Sequence, residues 1–275
     1  MIRPRTPRGI QLGEFLAARR KAQRRVELGL PPGTRRGDIG LSREEVAALA
    51  GMSVSWYTWL EQGREINASR QVLAAVARVL QLNEAETEYV FALAVPGANS
   101  NQLEPAPTPD HLTRLVRALP FPAFVIAGDW TIVAWNARYE WLYESISAIL
   151  DVDRNLLKLI YTDPKLKEML PDWQRDSRRF LAEFRADSGV RLSSERHREV
   201  VQGLIEESPD FRAQWAEHSV ERFKSRLRTF VHPQEGELVF EHHRLVPSDA
   251  SDLHVIMYVP TSPLAISEET ASVES

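Results

Sequence analysis

Ser55, Thr58, Trp59 and Gln62 fall at i, i+3, i+4 and i+7. On a helix they share one face. Hydroxyls and an amide there can bond the edges of bases, and an indole ring can meet a thymine methyl. Tyr57 and Leu60, on the other side, suit a core. A helix backed by a core and showing short polar groups outward is what a reader of the major groove requires. Any solvated helix also shows a polar face, so the assignment depends on the elements around it.

Those elements lie in LSREEVAALAGMSVSWYTWLEQG, residues 41–63. Ser42 and Glu45 make a capping box. Val46, Leu49 and Ala50 follow as one apolar stripe. Gly51 can take the left-handed conformation that ends a helix. Ser53 caps a second helix, from Val54 to about Gln62, which stops at Gly63. Two capped helices around a tight turn read as a helix-turn-helix. Arg43, opening the first of them, is placed to meet phosphate.

The string resembles the helix-turn-helix of the phage-repressor-like (XRE) regulators. More narrowly, GLSREEVAALAGMSVSWYTWLEQGREINAS, with AWN, TDP and HPxxGEL further on, is similar to regulators with an MmyB-like ligand-binding domain. The resemblance covers nearly the whole chain. It implies a DNA-binding transcription regulator with a PAS-like sensor and a fatty-acyl type of ligand. It also implies that Arg64 and Asn67 contact the DNA backbone, and that Arg19 or Arg20 pairs with Glu61. With Arg43, Ser53, Ser55, Thr58 and Trp59, these make the expected DNA-binding set.

The charge distribution agrees. The chain of 275 residues has a net charge of −4, but residues 1–80 carry 14 basic and 7 acidic groups, and the remainder 20 and 31. A basic first part suits phosphate; an acidic remainder is repelled by it. There are no cysteines, hence no disulfide and no thiolate metal site. No signal peptide or membrane-spanning run is evident, so a cytoplasmic protein without membrane contact is expected.

The length suggests about two domains. Residues 1–9 read as a flexible basic arm whose Arg3, Arg5 and Arg8 are expected to add affinity near phosphate or the minor groove. A first helix runs from Leu12 to about Arg25. Residues 27–40 are a long connection in which the role of Arg35 and Arg36 stays open. Ser69 caps a fourth helix, and Asn83 with Glu86 opens a fifth. The expected division is a helix-turn-helix domain over 1–98, a linker over 99–109, a PAS-like domain over 110–265 and a disordered tail over 266–275.

In the second domain FPAFVIAGDWTIVAWN gives two strands around Gly128-Asp129. Helices fill 137–217, one of them opened by Asp163-Pro164. Three strands close the chain near 225–231, 237–246 and 253–260. Two strands, helices, then three strands is the PAS order: a five-stranded antiparallel sheet with helices on one face. The fold class is therefore α+β, with a five-helix repressor-like head. A pocket between sheet and helices is expected to be lined by Phe124, Ile126, Trp135, Trp141, Phe180, Phe184, Phe211, Trp215 and Met257. Arg178, His218, Arg222 and Tyr258 are candidate anchors for a carboxylate, and the residues do not choose among them.

No catalytic set stands out. The histidines are scattered, and His242-His243 on one strand point to opposite faces, so they cannot share a metal. There is no phosphate-cradling glycine loop and no nucleophile elbow. No cofactor is expected beyond a fatty-acid-like ligand. The reading is a regulator that binds an operator in double-stranded DNA as a homodimer. Its rivals are an enzyme domain with an autoregulatory head, and a second domain that only dimerises.

Overall fold

A computed structural model describes residues 5–31, 38–64, 66, 68–94, 108–188 and 195–262. Packing divides the chain into two units. One comprises Met1–Glu104 with Ser177–Arg222, the other Pro105–Asp176 with Phe223–Ser275. This differs from the division that the linker suggests, because 177–222 packs with the first part of the chain. Residues 95–107, which hold most of the expected linker, and the tail from 263 lie outside the described residues. So do Arg35 and Arg36.

The first unit opens with five helices: α1 (Pro7–Ala22), α2 (Arg43–Ala50), α3 (Val54–Glu61), α4 (Arg70–Val79) and α5 (Glu84–Ala94). Leu12, Phe15 and Leu16 of α1 join Leu41, Val46, Tyr57, Leu60, Leu73, Val76, Tyr89 and Val90 in one buried cluster. Of the expected α2 stripe, Val46 is buried and Ala50 packs on the cluster, but Leu49 is exposed and Ala47 is buried in its stead.

The first helix also starts earlier. Thr6 accepts from the Gly9 amide and Pro7 fills the first helical position, so the helix begins inside the expected arm. Arg8 is buried, and Arg5 bridges the backbone of Arg64. Only residues 1–4 of that arm, Arg3 among them, lie outside the described residues. The unit is completed by α10 (Trp173–Ser188, from Ser177 on), α11 (Glu195–Glu207) and α12 (Pro209–Trp215).

The second unit holds β1 (Ala123–Ala127), β2 (Ile132–Trp135), β3 (Arg226–His232), β4 (Gly236–Leu245) and β5 (Leu253–Pro260), with α6 (Asp110–Ala118), α7 (Ala137–Leu142), α8 (Leu156–Thr162) and α9 (Pro164–Met169). The sheet is antiparallel in the order β2-β1-β5-β4-β3. Strand alternation separates two faces. Val125, Ala127, Ala134, Leu253 and Val255 pack with Leu112 and Val116 of α6. Phe124, on the opposite face, meets Tyr139 of α7 at 4.3 Å between ring centres. Helices of this unit thus lie on both faces of the sheet, not on one as expected.

Candidate functional site

The two halves of the helix-turn-helix are built locally, by their caps. Ser42 accepts from the Glu45 amide while Glu45 accepts from the Ser42 amide, at 3.1 and 2.8 Å. Gly51 sits at φ +70°, where a side chain is strained, and ends α2. Ser53 accepts from the Trp56 amide and starts α3. The cap uses one lone pair of the Ser53 hydroxyl and leaves its O–H to donate. Of the two tryptophans on α3, Trp56 packs against the core and Trp59 stands 43% exposed. Ser55 is exposed, Thr58 half-buried, and Tyr57 and Leu60 buried, so α3 presents the expected face outward. Arg64 follows at its end, with its guanidinium 5.9 Å from the Trp59 ring. Asn67 lies outside the described residues.

The end of α3 is tied down by a buried charge network. Arg20 donates Nε and Nη2 to the two carboxylate oxygens of Glu61, at 2.5 and 3.0 Å, and Nη1 to the carbonyl of Leu41. Arg43 donates Nε to Glu61 at 2.7 Å. Of the pair Arg19 and Arg20, it is Arg20 that reaches Glu61. Burial alone would raise the Glu61 carboxyl; the bonds from Arg20 and Arg43 outweigh it and hold the group below its usual range. One edge of the Arg43 guanidinium is thus committed to holding α3, while its side chain remains 44% exposed. A second bidentate pair, Arg25 to Glu45, holds α2 to the turn after α1, and lowers the Glu45 carboxyl to about 2.

Glycines bring α1 against the end of α3. A Cβ on Gly13 would lie 2.2 Å from the carbonyl oxygen of Glu61. One on Gly63 would meet the backbone of Gly9 and Ile10 at 2.8 Å. Nothing in the hydrophobic pattern points to this contact; the spacing of the three glycines is its only trace.

A family model described as the MmyB-like transcription regulator ligand binding domain matches residues 108–270. A helix-turn-helix domain model matches residues 11–90. The chain belongs to the MmyB-like transcription regulators. It is a DNA-binding regulator with a ligand-binding domain. A search of curated proteins finds none that matches it.

In this MmyB-like regulator the residues expected to line a pocket fall in both units. Phe124 and Ile126 are buried in the sheet unit; Trp135 lies under the Arg154 guanidinium at 4.6 Å, and Trp141 stacks on His232 at 4.6 Å. Phe180, Phe184, Phe211 and Trp215 belong to the first unit, where Phe184 stacks on His197 and Phe211 on Trp215. Met257 is a correction. It packs with the α6 cluster, on the sheet face opposite Phe124, because it stands one residue from Ile256, the register partner of Phe124. The residues that share the Phe124 face and were missed are Phe230, Phe240 and His242, which surround Tyr258 with ring centres 4.9–6.2 Å away. Of the four candidate anchors, Tyr258 is on this face. Arg178 pairs with Glu217, Arg222 with Glu84 and Glu88, and the carbonyl of His218 accepts from Arg19. Among the described residues no group of histidines and carboxylates could hold a metal, and no helix is long and apolar enough to cross a membrane.

The motifs most visible in the second domain hold the fold. Asn136 of AWN bonds five backbone groups. Asp163 of TDP caps α9 and accepts from the Tyr143 hydroxyl. His232 of HPxxGEL accepts two turn amides at Nδ1, which leaves Nε2–H to donate to the Trp141 carbonyl at 3.0 Å.

Proposed function

We propose that this regulator reads a two-fold operator in the major groove through α3, as a homodimer, and that its second domain senses a long-chain acyl compound. The outward face of α3 carries the DNA reading: Ser55, Thr58 and Trp59 stand on a helix whose opposite side is core and whose surroundings are basic. One such helix touches too few base pairs to specify a genomic site, which is the reason for a symmetric pair. Arg43 and Arg64 serve the phosphates beside it, fixing register without reading sequence. No catalytic role is assigned to either part.

This reading is tested on an operator selected from random DNA with the wild-type chain. The Ser55→Ala/Thr58→Ala/Trp59→Ala variant should bind it weaker by about 1–3 kcal/mol for each base-reading side chain removed, and with relaxed specificity. Equal binding of wild type and variant, measured by fluorescence anisotropy at fixed salt, would remove α3 from the reading role.

The acyl reading is supported by the aromatic sheet face, with Phe124, Phe230 and Phe240 gathered around Tyr258, and by the ligand-binding family of the domain. Each buried methylene of a chain contributes about 0.8 kcal/mol, so a long chain is held with few polar contacts. Delipidated protein titrated with saturated fatty acids of increasing length should melt at a temperature that rises with chain length. No rise with any length would leave the aromatic face as a closed core.

A further inference from the structure

We propose that residues 215–222 form an intramolecular staple by which the ligand-binding sequence sets the DNA affinity of the head. The proposal rests on the DNA-binding reading above. Val220 belongs by sequence to the ligand-binding domain, which matches 108–270, yet it is 3% exposed inside the apolar cluster of the head, with Phe15, Leu16, Tyr89 and Val90. Ala186 of α10 packs on the same cluster. Two residues on, Arg222 pairs with Glu84 and Glu88 of α5. Two residues before, the carbonyl of His218 accepts from Arg19 Nη2 at 3.0 Å.

The attachments reach three different parts of the head. Val220 occupies volume in a close-packed core, and removing it leaves a cavity. Arg222 offsets two carboxylates at i, i+4 that would otherwise repel. Arg19 is the neighbour of Arg20, which holds Glu61 at the end of the reading helix. The staple is itself held from α10: Arg185, 1% exposed, donates to the carbonyls of Ser219 and Trp215 at 2.8 and 2.7 Å and covers the Trp215 ring. His218 sits at φ +52°, a conformation that a non-glycine residue keeps where its surroundings fix it. Helix α10 starts at Trp173, whose Nε1 donates to the Ile160 carbonyl in the sheet unit. The chain is thus continuous from Trp173 along α10 to Arg185, and the hydrogen bonds of Arg185 carry the connection on to the segment that completes the head.

The test uses the full chain, with operator affinity and hydrogen exchange as separate readouts. Val220→Asp should weaken operator binding by about five- to a hundredfold, the usual range of coupling between sites. It should also speed amide exchange in α1 and α5. Arg222→Glu should act in the same direction more weakly, and adding Glu84→Arg with Glu88→Arg should restore both readouts. Wild-type affinity and exchange in Val220→Asp and Arg222→Glu would overturn the staple. If Val220→Asp unfolds the head outright, the charge reversal and its rescue decide, since Arg222 and its partners are solvent-facing. If the wild-type chain selects no operator, the DNA reading fails, while exchange in α1 and α5 still judges the staple.

Discussion

Replacing Glu61 with alanine is expected to destabilise the DNA-binding head by about 3–5 kcal/mol, the range for removing one partner of a buried ion pair. The cost comes from what is left behind. Arg20 is buried, and without Glu61 its guanidinium faces the neutral carbonyl of Leu41 with no carboxylate bonded to it. Arg43→Ala removes the exposed partner of the same carboxylate, and the expected change in stability is about 0–1 kcal/mol. Urea unfolding followed by tryptophan fluorescence compares the two, and similar destabilisation by both would show that burial of the pair does not set its worth. The pH dependence has a fixed sign. Because the folded Glu61 carboxyl lies below its unfolded value of 4.5, its contribution is complete above that pH and is lost as pH falls further. Glu61→Ala should flatten this acid limb.

Asn136→Leu is expected to cost the sheet unit about 3–5 kcal/mol, since each buried polar group left unmatched costs about 1–3 kcal/mol. The Asn136 carbonyl oxygen accepts from the amides of Ala123 and Tyr139, at 3.1 and 2.9 Å. Its amide nitrogen donates toward the carbonyls of Val116, Leu119 and Phe121, at 3.1, 3.2 and 2.8 Å. One side chain thereby ties the end of α6, the start of β1, the end of β2 and the N-cap of α7. Asn136→Asp separates polarity from shape. It keeps the two acceptor roles but aims a carboxylate oxygen at three carbonyls, so it should fail nearly as badly as leucine. An aspartate variant as stable as wild type in guanidinium unfolding would show that the donor half is idle.

What the residues revealed was mostly local. The Ser42–Glu45 box, Gly51, the Ser53 cap and the Asn83–Glu86 box act over three or four positions, and each forms where the pattern places it. Thr6 and Pro7 carried the same kind of signal, but the three nearby arginines made the segment read as an arm. Arg19 and Arg20 are adjacent, and only the rotation of α1 against α3 decides which meets Glu61. Alternation puts Phe124 and Val125 on opposite faces, but which face α6 covers is settled by packing, and Met257 went to the wrong side for that reason. The docking of Val220 is wholly tertiary: an isolated valine in HSVERF has no periodicity to reveal it.

The glycine contacts between α1 and the end of α3 bear on how such a regulator could acquire a new operator. Where Gly13 meets Glu61 and Gly63 meets Gly9, main chain rests on main chain, with no side chain between to repack. These backbone contacts at the end of α3 involve none of the side chains at 55, 58 and 59. If α3 reads bases as proposed, its exposed positions, Ser55 above all, are letters on a type-bar held from its far end, and binding preference can diverge among descendants with little change elsewhere in the head.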